Sequence, residues 1–516
     1  MMKNLFFCLL FIGLFFSTYI SAQPELDTTF ASTGKKLIQF TSSGYARDIV
    51  VQPDNKLVLV GECRDINFGV VPFCLIRLSE NGDFDSTFGQ TISGVVFTRI
   101  PGTISPFAGQ GIALQNDGKI VVTGSPISGV TIIRYNSDGS LDSSFGTNGM
   151  LQTTVNGNDL ANKLVIQPDG KIVVVGYSGS SSNYKQFVAR YLPNGMRDNL
   201  FGTSGVVTIN IPGNLTVGFS IALQPDGKIL TGGASSGAFL LTRLNRDGSL
   251  DTTFDGDGFK SVLTATNIIP ERGNFVSVAV QTDGRILALG DTNILYSFNS
   301  DGSLDTNFDD DGSRTALDGT SDSYDLVVTP AGKITVVGNP TIASSYPNIN
   351  YRAARYLPNG SPDPNFSMDG FLDIDLSGVD GATAVALDAQ ARIVIGGRSA
   401  FGTIFNAPWA NSLFSATRLS AQPTQNVGFS GRVLNSNGTP VFNAFITLQN
   451  GEEIIANART NPFGYFRFRN VQTNQTYTLS TRAKSLNFPD RSVLVDDEIN
   501  NYTIYGDDLP ILIQRR

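Results

Sequence analysis

Between Gln23 and Gln422 the apolar residues come in short runs separated by polar clusters of Gly, Asn, Asp and Ser. One representative set is Gly149–Val155, Lys163–Gln167, Lys171–Tyr177 and Gln186–Tyr191. Runs of this kind, rich in Val and Ile and bounded by turn residues, predict β-strands. No stretch in this region sustains the period of an amphipathic helix. Asp-Gly pairs between the runs supply residues that accept positive φ, which suits tight hairpins.

The set of four runs recurs. The phrase Gln167-Pro168-Asp169-Gly170-Lys171 has copies beginning at Gln52, Gln115, Gln224, Gln281, Thr329 and Asp388. The copies lie roughly 56 residues apart, and a fixed period of this size marks a repeat architecture. A longer motif keeps step with it. Arg134-Tyr135-Asn136-Ser137-Asp138-Gly139-Ser140-Leu141-Asp142-Ser143-Ser144-Phe145-Gly146 returns at Arg77–Gly89, Arg190–Gly202, Arg243–Asp255, Ser297–Asp309 and Arg355–Ser367. Four short strands per unit, seven times over, predict a β-propeller. The ends of the array predict how it closes. The chain enters with Leu26–Phe30, the second half of the motif, then a strand at Lys36–Phe40, and leaves at Arg418–Ser420, the first half. An amino-terminal strand that completes the last blade removes two open sheet edges. The expected fold is therefore all-β, a seven-bladed propeller over 23–420 closed by its N-terminal strand.

The tandem Q-P-D-G-K…R-Y-x-x-D-G-S-L-D-x-x-F-G pattern resembles the delta-60 repeat family of bacterial exported propeller proteins. The resemblance covers 23–420 and implies a propeller without bringing an activity. After a linker, 421–426, a second pattern begins: Gly431-x-Val433, Gly438-x-Pro440-Val441, Ala444-x-Ile446-x-Leu448, then Gly464-Tyr465-Phe466-x-Phe468 and Tyr477-x-Leu479. It resembles a carboxypeptidase regulatory-like domain, which implies a small immunoglobulin-like β-sandwich over 427–516. Alternation at Phe445–Leu448 and Tyr465–Phe468 places apolar side chains on one face of each strand. No peptidase metal site accompanies the domain.

Composition narrows the function. Histidine is absent, which removes the side chain most used for general acid–base work and zinc ligation. The net charge of -8, with no Lys/Arg run, argues against a nucleic-acid footprint. Lys3, the apolar run Leu5–Phe16 and small Ser21-Ala22 have the form of an export signal over 1–22. The run is shorter than the ~20 residues a membrane span needs. Export permits a disulfide between Cys63 and Cys74; two buried free thiols are the alternative.

Three groups of residues are candidates for chemistry. The recurring Arg77, Arg134, Arg190, Arg243, Arg355 and Arg418 form either a basic ring for an anion or a set of pairs with the recurring Asp27, Asp85, Asp142, Asp198, Asp251 and Asp363. The fifth unit replaces the Arg with Ser297 and gathers Asn307, Asp309, Asp311 and, further on, Asp318 with the spacing of a calcium loop. The loops between the third and fourth strands of each unit vary most and carry Tyr184, Tyr346, Phe405 and Trp409. Loop aromatics of this kind grip a sugar or peptide, or fill gaps beneath long loops. The expectation is an exported, non-catalytic propeller that binds a protein, peptide or glycan at the cell surface or outside the cell, without a required cofactor. The alternatives are a carboxylate-based glycosidase or lyase in the channel and a structural cell-surface component.

Overall fold

A computed structural model describes residues 25–508 apart from 41–42, 65–72, 91, 101–108, 125–128, 181–182, 213, 237, 264–276, 291–292, 318–320, 341–348, 368, 401–411, 421–425 and 485. The described elements are all strands, in nine four-stranded sheets. Seven sheets are blades. Blade one is Ser43–Val51, Leu57–Arg64, Phe73–Leu78 and Val95–Thr98, paired in that order and antiparallel throughout. Blades two to six repeat the order, and their innermost strands begin at Gly109, Asp159, Thr216, Ser277 and Ser321. Each innermost strand touches the next around the ring, and Ser43–Val51 touches Val379–Leu387 of blade seven, so the ring is closed.

Blade seven takes its outermost strand from the other end of the chain. Lys35–Ile38 pairs with Ser412–Arg418, from Lys35↔Thr417 to Ile38↔Phe414. This is the closure expected from the split motif. The boundary of the unit differs from the sequence reading by one strand. Gly149–Val155, grouped above with the strands that follow it, contributes Met150–Thr153 to the preceding sheet, blade two. The reason is local: after the Arg-to-Gly motif the chain turns back antiparallel onto the strand it has just left, Val130–Tyr135.

The core lies between blades. One cluster joins Val58, Val60, Phe73 and Leu75 of blade one to Ile112, Ile120, Val122 and Ile133 of blade two, and similar clusters recur around the ring. Six innermost strands carry a bulge at one level, as at Ala46/Asp48 and Ala161/Lys163. The bulge explains a recurring glycine in the second strand. A Cβ at Gly61 would lie 2.1 Å from Tyr45 O, and at Gly176 1.9 Å from Leu160 O.

The remaining two sheets form the carboxy-terminal sandwich. One pairs Asn426–Asn435 with Tyr465–Gln472 and, in parallel, with Ile499–Asp508. The other is built on Phe445–Asn450 and Gln475–Arg482. Phe429, Val433, Ile446, Leu448, Phe466 and Phe468 meet in its core, the alternation expected from sequence.

Candidate functional site at the channel and its mouth

The recurring arginines are joints between blades. Arg134 Nε lies 2.7 Å from Asp142 Oδ2, and its guanidinium sits 4.7 Å from the centre of the Phe145 ring. Its Nη1 donates to Pro193 O in the next blade. Arg190 repeats this with Asp198 (2.8 Å), Phe201 (4.4 Å) and Arg246 O (2.5 Å). Arg418 closes the circle with Asp27 (2.8 Å), Phe30 (5.0 Å) and Glu80 O (2.6 Å). The turn glycine belongs to the same joint. A Cβ at Gly139, whose φ is +85°, would meet the Phe88 ring of the previous blade at 2.9 Å. Charge-assisted bonds in this geometry suit the planar guanidinium. Burial opposes ionisation of Asp85, but its bonds from Thr87 and the charges of Arg77 and Lys56 outweigh that and hold its carboxyl at about 2. These arginines are structural pairs and do not form an open basic ring.

The fifth blade reaches the same result by another route. Ser297 stands in for the arginine, and its hydroxyl is 3.3 Å from Asp305 Oδ2. Arg285, at the last position of the Gln281 phrase, extends its Nη1 to Asp305 Oδ2 (3.3 Å) and to Pro358 O of the next blade (3.1 Å). In the residues marked above for calcium, Asp309 Oδ1 is 2.8 Å from Arg314 Nη1. Asp311 Oδ1 accepts from Ser313 N at 2.8 Å, and Asn307 N donates to Asp305 Oδ1. Asp318 lies outside the described residues. Among those described, no group of three His, Cys, Asp or Glu side chains is placed to hold a metal ion.

The loops between second and third strands all leave from one face of the ring, opposite the Gln-Pro-Asp-Gly-Lys turns. Tyr346, Phe405 and Trp409 lie outside the described residues. Tyr184 is half-buried and packs edge-on against Tyr177, 5.0 Å between ring centres, beside Val217 and Phe219. Cys63 and Cys74 are joined by a disulfide, with Cα atoms 5.8 Å apart and both side chains fully buried. The bridge ties the ends of the blade-one loop on this face.

The channel carries residues that the repeat does not repeat. Four positions before each phrase stand Asp48, Gly111, Lys163, Ser220, Ser277, Asp325 and Ala384. Lys163 Nζ is 2.8 Å from Asp48 Oδ1, which links blades one and three. Both aspartates also tie neighbouring blades. Asp48 Oδ2 accepts from Ile112 N and Asp325 Oδ2 from Val385 N, each at 3.0 Å, and Asp325 Oδ1 accepts from Ser277 Oγ at 2.8 Å. Burial raises the Asp325 carboxyl despite the Lys163 charge, and the nearby Asp48 adds to the rise. Burial would lower Lys163, but Asp48 and Asp325 together push it up.

One residue nearer the loop face, blades six, seven and one form a mouth. Arg47 Nη2 donates to Tyr45 Oη (2.5 Å), which donates to Glu62 Oε2 (2.8 Å). The guanidiniums of Arg47 and Arg398 lie 4.6 and 5.7 Å from the centre of the same Tyr45 ring. Arg398 crosses the innermost strand where its partner residue is Gly381, whose Cβ would sit 2.9 Å from Arg398 Nε. Burial, with Arg47 beside it, lowers Arg398 to about 10 although Tyr324, Tyr45 and Tyr351 face it. None of these residues stood out in the sequence. For Arg47 and Tyr324 the signal was present as the variable column five positions before each phrase: Arg47, Gln110, Asn162, Phe219, Val276, Tyr324 and Thr383.

The sandwich sits against the turn face. Lys333 Nζ is 3.0 Å from Asp497 Oδ2, Thr476 Oγ1 donates to Ala389 O at 2.8 Å, and Ala331 packs on the sandwich core. A cavity of about 660 Å³ lies between Leu200, Pro225 and Arg246 of the propeller and Pro489, Arg491 and Tyr505 of the sandwich.

Family models recognise both parts. The model described as "Domain of unknown function (DUF5122) beta-propeller" matches residues 52–88, 115–145, 167–201, 224–254, 281–308 and 330–366. The carboxypeptidase regulatory-like domain matches 428–498. The chain joins a DUF5122 propeller to a carboxypeptidase regulatory-like domain. Blade seven of the DUF5122 propeller and its closing strand lie outside the matched segments. The search of curated proteins found no match. Among solved structures, a catalytically inactive virginiamycin B lyase from Staphylococcus aureus with quinupristin is 10% identical, with a TM-score of 0.44, and covers 74% of this chain and 98% of its own. Regucalcin, a calcium-binding protein from Agrobacterium tumefaciens, is 12% identical, with a TM-score of 0.33 and coverage of 61% and 92%. A quinonprotein alcohol dehydrogenase-like protein from Bacteroides thetaiotaomicron is 12% identical, with a TM-score of 0.37 and coverage of 66% and 67%. At these values none of them bears on what the DUF5122 propeller binds or does.

Proposed function

We propose that the protein is an exported, non-catalytic binding module that presents the loop face of its propeller to a protein, peptide or glycan, at the cell surface or outside the cell. The observation that carries the reading is the placement of the sandwich on the opposite face, held by the Lys333–Asp497 pair and the Thr476–Ala389 bond. In that arrangement the sandwich acts as a pedestal, and the face with the variable loops points away from it. Support for a non-catalytic channel comes from its carboxylates. All four oxygens of Asp48 and Asp325 hold a lysine, a hydroxyl or a backbone amide of another blade, so these groups act as ties between blades.

One observation favours a second reading, a carboxylate-based glycosidase or lyase: Asp325 is raised beside Asp48, and pairs of carboxyls pushed apart in acidity serve as acid and base. Two experiments on the purified protein separate the readings. Glycan and peptide arrays should give saturable binding, weakened by Trp409→Ala. Glycosidase and lyase substrate panels should give no turnover. Turnover lost in Asp48→Asn or Asp325→Asn would overturn the proposal.

A further inference from the structure

Blade three departs from the common joint at one position. Just before the joint phenylalanine the other units carry a hydrogen-bonding side chain: Thr29, Thr87, Ser144, Thr253, Asn307 and Asn365. Where that side chain is a hydroxyl, it receives the outer nitrogen of the guanidinium. Nη2 of Arg77, Arg134, Arg243 and Arg418 donates to it at 3.0 to 3.2 Å. Blade three has Leu200 there instead. Arg190 keeps its bonds from Nε to Asp198 and from Nη1 to Arg246 O. Its Nη2 has no hydrogen-bond partner among the described residues, although Arg190 is only 6% exposed. Buried donors in native structures almost always have one. In blade six Arg355 Nη2 also lacks a partner, but it is enclosed beside a void of about 20 Å³, the size of one water. Arg190 lines the cavity of about 660 Å³ between the propeller and the sandwich.

That cavity is apolar on both sides. Leu200, 86% exposed, stands with Pro168 and Pro225 on the propeller wall, and Pro489 and Tyr505 form the sandwich wall. Arg491 lies on the sandwich wall and donates from Nη2 to Tyr505 O at 3.2 Å. The two carboxylates of the lining have partners of their own. Asp169 Oδ2 is 2.8 Å from Lys171 Nζ, and Asp247 Oδ1 accepts from Ser249 Oγ at 2.7 Å. The neighbouring cavity, about 380 Å³ against blades four and five, keeps Thr253 in its joint and is lined by Asp226, Lys228, Asp283 and Asp301. Loss of the hydroxyl and gain of an apolar wall thus coincide in blade three. A space of about 300–1,000 Å³ with apolar walls and a few converging polar groups has the form of a small-molecule site. We infer that this cavity binds an apolar organic acid, its body against Leu200 and the prolines and its carboxylate on Arg190 Nη2 and Arg491. A guanidinium suits a carboxylate in charge and shape. The site lies on the turn face, so it is separate from the loop-face reading above. Both domains supply its walls, and the bound acid therefore clamps the sandwich to the propeller.

The test is titration calorimetry on the purified protein at constant ionic strength, with melting temperature as a second readout. The probes are sodium octanoate, sodium 4-phenylbutyrate, 1-octanol and sodium acetate. One or both of the apolar acids should bind saturably and raise the melting temperature. Octanol, which lacks the charge, should bind about tenfold more weakly or worse, and acetate, which lacks the body, should be silent. Tighter octanoate assigns an alkyl body, and tighter phenylbutyrate an aromatic one. Leu200→Thr restores the hydroxyl of the other blades, so it should melt no lower than the parent yet bind the acids at least about tenfold more weakly, as loss of a bond to a charged group implies. Arg491→Gln makes a similar cut from the sandwich side and should weaken binding as much. Absence of saturable binding by both acids, octanol binding as tightly as they do, or affinity unchanged in both variants overturns the inference. If Leu200→Thr still binds its array ligand as the parent does while the acids fail to bind the parent, the loop-face reading stands and this site falls alone.

Discussion

Cutting the guanidinium at the seam tests whether the ring depends on its closure. Arg418 is 1% exposed and reaches Asp27 at 2.8 Å, across 391 positions of sequence. Arg418→Met keeps an apolar stem over Phe30 and removes the charge. Asp27 then loses its nearest cation, and Glu80 O loses its Nη1 donor. Breaking a buried pair from one side costs about 3–5 kcal/mol. Arg392, 3.5 Å from Asp27, remains as a partial substitute, so the lower end of that range, about 3 kcal/mol, is expected. Arg190→Met makes the same cut in blade three, where Asp198 is only eight positions away. Guanidinium unfolding should show similar losses for the two variants. Hydrogen exchange should separate them: only Arg418→Met should speed exchange at Lys35–Ile38. Replacing both members, Arg418→Met with Asp27→Leu, should recover most of the loss, because no charge is left buried alone. An Arg418→Met protein within about 0.5 kcal/mol of the parent, the usual size of a neutral surface change, with unchanged exchange at Lys35–Ile38, would refute the reasoning.

Three further outcomes follow from the same geometry. Reducing the Cys63–Cys74 bridge, or replacing both residues with Ala, should cost about 2–3 kcal/mol for a short loop, read as a shift in denaturation with and without reductant. The joint aspartates Asp27, Asp85, Asp142, Asp198 and Asp251 are held below the ordinary aspartate value. A depressed carboxyl adds stability that is present above its unfolded value and lost as pH falls through its folded one. Melting temperature should therefore drop between pH 4 and about 2, the window set by Asp85, and Asp85→Asn should flatten that limb. In blade five, Arg285→Ala should cost about 2–3 kcal/mol because it strips the buried Asp305 of its cation, whereas Lys171→Ala, at an Asp198 that keeps Arg190, should cost under about 1 kcal/mol; chemical denaturation measures both.

The propeller was legible because its joint repeats. Arg, Asp, the turn Gly and Phe recur together since each blade must grip the next in the same way, and repetition exposes a shared physical requirement. Closure was legible for the same reason, as the motif is divided between Leu26–Phe30 and Arg418–Ser420. The blade boundary was not. Periodicity fixes the length of a unit but not where hydrogen bonding cuts it, and Met150–Thr153 pairs backwards. The mouth was harder to see. Arg47 and Arg398 come from different columns of different units, and only the fold brings them onto one ring. Arg285 was hidden because it occupies a position usually held by lysine while taking over the duty of the absent arginine.

The one-strand offset between unit and blade has a consequence for how such a chain can change length. A whole unit excised or inserted anywhere within the array takes with it one outer strand of one blade and three inner strands of the next. The strands left on either side still find partners of the right kind, and Lys35–Ile38 still meets the last third strand. Blade number can thus vary without reinventing the seam. A chain with six or eight units should close by the same Arg–Asp clasp, and it is the channel column, not the joint, that would have to be rebuilt to suit the new bore.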